Sequence, residues 1–384
     1  MVKKKRRIIF LTGTRADFGK LKPLIRKLQE DDGFDVHIFV TGMHMLSKYG
    51  HTYIEVEVAG FRNIYKYINQ NSGDTMDQVL AKTIIGFSDF VKETIPDFII
   101  VHGDRVEALA GASVGALNNI LVGHIEGGEV SGTVDELIRH AVTKLSHIHF
   151  VANNMAMERL FQLGERTDTV HVIGSPDVDV MNSNSLPKLD EVRGRYDFNY
   201  TNYSILMFHP VTTELSQLRQ QIRIVVDQVI ASNLNYIVIY PNNDHGTEII
   251  LEEYSRFSGL SRIKTYPSMR FEYFLTLLKN ATFIIGNSSA GVREAPHFGV
   301  PAINLGTRQS NRVKSNLVLN VEIESSSIVN IISQVKNLSK TPEILFGNGN
   351  SAERFLEIMK SNFFWNHKTQ KHFVDMSLES NEYH

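Results

Sequence analysis

Asp104, Glu126 and Asp135 each stand just beyond a short apolar run or at the head of a helix pattern, and they are the first candidates for chemistry. Asp104 follows Phe98–Val101 in His102-Gly103-Asp104-Arg105. Glu126 follows Ile120–Val122 inside the stretch Val122–Arg139, VGHIEGGEVSGTVDELIR, and Asp135 opens the helical spacing that leaves it. Carboxylates at the carboxyl ends of strands are where α/β sheets collect ligand and catalytic groups, and several together suit proton transfer. Each also has a plain structural reading. Asp104 could cap the helix Val106–Leu117. Asp135 could be a first-turn charge or the i,i+4 partner of Arg139. Glu129 reads as a surface loop charge. Gly123, Gly127, Gly128 and Gly132 suggest a backbone that approaches a ligand or takes positive φ, and Thr133 reads as the cap of the helix that follows.

A second set of residues suits an anion. Gly13-Thr14-Arg15-Ala16-Asp17-Phe18-Gly19-Lys20 is neither a Walker loop nor G-x-G-x-x-G. As a strand–loop–helix turn it would still aim N–H groups at a cleft, and Arg15 adds a planar fork suited to phosphate. His209 ends the run Ser204–Phe208, where a phosphate contact or acid–base group belongs. In Gly286–Glu294, Ser288 and Ser289 offer hydroxyl and N–H donors for a diphosphate, and Glu294 could accept from ribose hydroxyls. Arg308, after the next strand, adds a cation. His140, His147 and His149 lack a zinc-binding pattern or a cysteine partner and read as packed or solvated side chains, with no metal expected.

The elements that must position these groups alternate. Strands are expected at Arg7–Leu11, Val36–Val40, Phe98–Val101, Ile120–Val122, Ile148–Val151 and Val170–Ile173. Helices are expected at Lys20–Leu28, Met76–Ile95, Val106–Leu117 and Asn154–Gln162. His51–Asp74 is irregular. Ser175–Tyr200 is polar and reads as a linker, after which alternation restarts. Strands follow at Ser204–Phe208, Tyr236–Tyr240, Arg262–Thr265, Phe283–Ile285 and Val300–Asn304, which closes the series; helices follow at Glu214–Ile230, Glu248–Phe257, Phe271–Leu278 and Val292–Phe298. This pattern predicts an α/β protein of two Rossmann-like domains with an interdomain cleft. The first spans 1–175 and carries the carboxylates. The second spans 176–360 and grips a diphosphate. A helix end and tail, 361–384, return toward the first; the last helix pattern is Glu353–Phe363.

The chain's 384 residues allow two domains, and its formal charge of −2 gives no bulk support for nucleic acid or an anionic membrane as partner. The basic start Lys3–Arg7 precedes an apolar segment too short for a secretory signal, and no run approaches the ~20 apolar residues of a membrane span. With no cysteine there is no disulfide framework. A cytoplasmic protein is expected.

Taken in order, GTRADFGKL (13–21), HGDR (102–105), HIEGGEVSGTVDELIRH (124–140), FHPVTT (208–213), YPNNDHG (240–246), GNSSAGVRE (286–294) and INLGTRQ (303–309) resemble the hydrolysing UDP-N-acetylglucosamine 2-epimerases. HIEGGE resembles the hydrolysing branch rather than the HVEAG of the non-hydrolysing one. The resemblance implies a GT-B-like fold, a homodimer or homotetramer, no cofactor, and release of UDP and N-acetylmannosamine for sialic acid synthesis. Asp104, Glu126, Asp135 and His209 match the family's catalytic positions. Arg15, Ser288, Ser289, Glu294 and Arg308 match its UDP grip, with Arg105 and Asn242 as additions. The reaction it implies is elimination of UDP to a 2-acetamidoglucal, then hydration. The clustered carboxyls would raise one another's pKa and keep one protonated. His44 and the His51–Asp74 region are the candidates for contacts to C4 and C6, which would separate N-acetylglucosamine from UDP- or GDP-linked N,N'-diacetylbacillosamine. A GT-B glycosyltransferase or a non-catalytic sugar-nucleotide binder is the rival reading.

Overall fold

The computed structural model describes residues 5–71, 73–131, 134–242, 244–310, 312–335, 338, 340–372 and 374–375. Two parallel sheets carry it. The first comprises β1 (Arg6–Thr12), β2 (Phe34–Val40), β3 (Ile64–Lys66), β4 (Phe98–His102), β5 (Leu121–Ile125), β6 (Ile148–Val151) and β7 (Val170–Val172), in the order β3-β2-β1-β4-β5-β6-β7. The second comprises β8 (Ser204–Met207), β9 (Tyr236–Ile239), β10 (Ile263–Tyr266), β11 (Ile284–Gly286), β12 (Ala302–Leu305) and β13 (Val318–Val321), in the order β10-β9-β8-β11-β12-β13. Central strands such as Ile8–Leu11 and Phe98–Val101 are apolar without alternation because helices cover both faces. Strand order reverses between β1 and β4 and again between β8 and β11. Both reversals open a crevice at the strands' carboxyl ends, where the candidate residues sit.

Local chemistry explains where elements differ from expectation. The first helix starts at Arg15 rather than Lys20, because Thr14 and Asp17 form a reciprocal capping box. His51–Asp74 holds a helix, Tyr53–Val58, and the edge strand β3. The expected linker holds two helices, Pro176–Met181, with proline at its start, and Leu189–Tyr196. The second sheet does not close at β12, since β13 and the helix Ser325–Val335 follow.

The chain crosses between domains twice, and the crossings touch. Ser175 N–H donates to the Phe346 carbonyl at 2.7 Å, and Gly174 and Gly347, with φ of 92° and 105°, lie against each other. Beyond the second crossing the helix Ser351–Lys360 returns to the first domain. Its Ala352, Phe355 and Met359, with Phe364, share one core with Ile8, Phe10, Leu21, Phe98 and Phe150. Phe355 meets Phe150 edge-on at 4.8 Å, and Phe364 meets Phe98 at 5.2 Å. The helix therefore belongs to the first domain's core, and the boundary lies near Gly347 rather than at 360. Phe355→Ala should cost about 3–5 kcal/mol by emptying a buried aromatic site, read as a lower urea midpoint for the unfolding phase of the first domain.

Candidate active site

A cavity of about 270 Å³ lies between the two sheets, lined from both. Asp104, Glu126, Asp135, His209, Arg15, Arg105, Asn242, Ser288, Ser289, Glu294 and Arg308 all line it. His44 does not. It is fully buried, with Nε2 3.1 Å from Thr12 Oγ1 and Nδ1 2.7 Å from Thr52 Oγ1, and burial pushes its pKa down to about 4. It is a neutral ring inside the first domain, and from that loop it is Met43 that lines the cavity.

The carboxyls do not form one cluster. Burial opposes the charge of Asp104, but Arg139 and the Ser131 hydroxyl, donating at 2.7 Å, outweigh it and hold the group well below the carboxylate range. Arg139 thus pairs with Asp104 and not with Asp135. Burial, then the nearby charge of Asp104, pushes Asp135 upward, against the pull of Arg308 at 3.3 Å. Glu126 also moves down, not up. Burial disfavours its charge, yet Arg293, Lys20 and His102 together prevail. Its Oε1 accepts from Ser175 Oγ and Arg293 Nη2, each at 2.6 Å, while Oε2 lies 3.2 Å from His102 Nε2. Of the three, only Asp135 is raised as clustering predicted.

The phosphate-facing groups are also sorted by their partners. The N–H groups of Gly13 and Thr14 donate to the Asp17 carboxylate at 2.9 and 3.2 Å, so the first loop offers the side chain of Arg15 rather than its backbone. Arg15 is aimed by Glu55 at 2.8 Å and Ser268 at 2.6 Å. Arg105 lies 3.4 Å from the buried Glu107, which also packs beneath Gly13 and Gly42. His209 is held by Asn287, whose amide bonds the histidine backbone on both sides at 2.7 and 2.8 Å. Burial, then Arg308 and Arg105, keeps the His209 ring neutral. Its Nδ1 accepts from Asn242 N–H at 3.3 Å, which leaves the proton on Nε2 as a donor. Gly286 is required because a Cβ there would fall 1.8 Å from the Met207 carbonyl. Ser288 caps the short helix Ser289–Val292, and burial raises the pKa of Glu294.

Several participants carried no sequence signal or the wrong one. Glu129 is buried, not a surface charge; it pairs with Arg293 and with Arg312 at 3.2 Å. Lys20 is buried on the first helix, 3.4 Å from Asp177 and 3.8 Å from both Glu126 and Glu294. Asp177 and Ser175 come from the stretch expected to be linker. Gly123 and Gly128 of the opening stretch serve packing rather than the cavity wall. A Cβ on Gly123 would strike the Phe98 ring, and one on Gly128 the Ala156 carbonyl, and neither glycine lines the cavity. Gly132 and Thr133 lie outside the described residues. His147 and His149 are packed, the first bonded to Val122 N–H and the Thr369 carbonyl, the second to Glu165.

Two parallel α/β domains closing on a cavity rich in arginine and carboxylate define a GT-B-like sugar-nucleotide protein. The model of the UDP-N-acetylglucosamine 2-epimerase family matches residues 26–360, and the chain belongs to that family. The UDP-N-acetylglucosamine 2-epimerase of Neisseria meningitidis serogroup B is 49% identical over 377 residues, covering 97% of this chain and 100% of that protein. The hydrolysing UDP-N,N'-diacetylbacillosamine 2-epimerase of Legionella pneumophila is 33% identical over 362 residues, covering 93% and 96%. Among solved structures, the Methanocaldococcus jannaschii UDP-GlcNAc 2-epimerase with UDP-GlcNAc and UDP superposes with a TM-score of 0.78 at 23% identity, over 92% of this chain and 99% of that one, which establishes the shared fold.

Arg293→Met should remove the cation shared by Glu126, Glu129 and Asp177, leaving only Lys20 and Arg312 against three buried carboxylates, at a cost of about 3–5 kcal/mol. Because Glu126 and Asp177 ionise more readily folded than unfolded, wild-type stability is present above the carboxylate range and falls as pH drops through it. Urea titrations between pH 7 and 4 should show a lower midpoint for the variant and a flatter dependence on acid.

Proposed function

We propose that the chain is a hydrolysing 2-epimerase converting UDP-N-acetylglucosamine and water to N-acetylmannosamine and UDP, for nonulosonic acid synthesis. The observation that carries this reading is the meeting, in one interdomain cavity, of cationic groups for a diphosphate with neighbouring carboxyls whose pKa values are displaced in opposite directions. The 49% identity to the meningococcal enzyme along the whole chain supports it, and favours N-acetylglucosamine over the diacetylbacillosamine substrate of the 33% relative.

The C2–H of the sugar has no adjacent carbonyl, so it becomes acidic only as C1 turns cationic. Arg15, Arg105, Arg308 and the Nε2–H of His209 stabilise the departing diphosphate. Loss of the C2 proton then gives the 2-acetamidoglucal. Asp135, pushed upward beside ionised Asp104, suits the acid that returns a proton to C2. Water adds at C1. Glu294, buried with one oxygen lacking a hydrogen-bond partner among the described residues, suits the ribose hydroxyls. The same reading includes a cytoplasmic homo-oligomer. No helix among the described residues is long and apolar enough to cross a membrane.

The reaction run in deuterated water with UDP-N-acetylglucosamine, followed by proton NMR, should yield UDP and N-acetylmannosamine bearing deuterium at C2. Product without deuterium would sink the elimination route. Turnover only with a diacetylbacillosamine nucleotide would keep the chemistry and change the substrate. Asp135→Asn should lower kcat by 10²–10⁴-fold, the range for a lost general acid, while leaving the Kd for UDP within a few-fold.

A further inference from the structure

Glu126 has little freedom to exchange protons directly. One oxygen, Oε1, already accepts from Ser175 and Arg293, each at 2.6 Å, with Lys20 at 3.8 Å. The other, Oε2, faces His102 Nε2 at 3.2 Å. A carboxylate has about four lone-pair positions, and the cations around this one hold it ionised. His102 ends β4 and lines the same cavity as Glu126, with its Nε2 against that carboxylate's remaining oxygen. Its Nε2 is buried and has no aligned hydrogen-bond partner among the described residues. The other ring facing this corner is His124 on β5. Its Nε2–H donates to the Gly103 carbonyl at 2.8 Å and its Nδ1 accepts from the Thr143 hydroxyl at 3.3 Å, and burial pushes it down to about 3, so it stays neutral. The charged groups packed about the pair are thus Lys20 from the first helix, Asp177 from the crossing, and Arg293 and Glu294 from the second domain.

We propose that His102 is a catalytic acid–base residue, with Glu126 as its positioning partner, so that the site works with two pairs, His102–Glu126 and Asp135–Asp104. This rests on the epimerase reading. His102 takes the C2 proton. The C2–H electron pair becomes the C1=C2 bond, and the C1–O bond breaks with its pair leaving on the UDP oxygen. In hydration, Asp135 gives its proton to C2, water gives its oxygen to C1 and its spare proton to the emptied carboxylate, and His102 passes the first proton to solvent. The ionised Glu126 stabilises the imidazolium formed between these steps, as a buried carboxylate does in other carboxylate–imidazole pairs.

The test compares wild type with His102→Gln, His102→Ala and Glu126→Gln. Both histidine variants should bind UDP with a Kd within threefold of wild type, showing that the site is folded, while kcat falls 10²–10⁴-fold. Millimolar imidazole should restore part of the activity of His102→Ala and none to His102→Gln. Glu126→Gln should lower kcat while leaving KM and the Kd for UDP within a few-fold of wild type, because the ring it positions acts only in the chemical step. Histidine variants within threefold of wild-type kcat would overturn the inference. So would a slow His102→Ala with no imidazole rescue, and loss of UDP binding would make His102 structural and overturn it as well. A wild type inert with both nucleotide sugars would overturn the epimerase reading and this inference together; an active wild type isolates the question to His102.

Discussion

The guanidinium of Arg293 is buried between the two domains, and much of the site's geometry follows from satisfying it. It comes from the second domain and reaches Glu126 and Glu129 of the first, with Ser175 and Asp177 at the crossing. Phe346, on the other crossing, lies under its face at 4.3 Å. A lone buried cation would be untenable, so the surrounding carboxylates must stay ionised and in place. That requirement fixes Glu126, turns the loop after β5 inward, and ties the relative placement of the sheets to the charge state of the cavity wall.

The electrostatics divide the cavity by role. Toward the anion side, the cations are themselves restrained: Arg15 by Glu55, Arg105 by Glu107, Arg308 by Asp135 and the Asn287 carbonyl. Such preorganisation lowers the reorganisation needed when charge develops on a leaving diphosphate. Toward the sugar side, Asp104 and Asp135 lie close enough that one suppresses ionisation of the other. The same residue type is therefore held as a fixed charge in one position and made harder to ionise in the next, and the difference is set by Arg139 and Ser131 rather than by the carboxyls themselves.

Much of this was legible in the chain because strands announce themselves by apolar runs and ligands gather at their ends; Asp104, Glu126, His209 and Arg308 were found that way. The structure adds what spacing cannot encode. Lys20 sits on a helix face and Arg293 at the junction of two short helices, Ser289–Val292 and Glu294–His297, where a long cation ordinarily reads as solvent-exposed, and only tertiary packing buries them. Glu129 followed the same false logic. Asp177 hid in a polar stretch whose proline begins a helix instead of ending one. His44 erred in the other direction, since a histidine beside a glycine in a β–α loop looks functional while its two hydroxyl partners lie at Thr12 and Thr52, invisible as neighbours in sequence. The distinct partners of the carboxyls likewise required coordinates.

The return of the chain after Gly347 has a consequence for biosynthesis. The first sheet's core is finished by Phe355, Met359 and Phe364, which leave the ribosome after the whole second domain. The domain whose synthesis begins first thus completes its packing last, and its partly open core must wait through roughly half of translation. Among the described residues, the second domain's cores include none beyond Phe346. Vectorial synthesis therefore favours an order of maturation opposite to the order of the sequence.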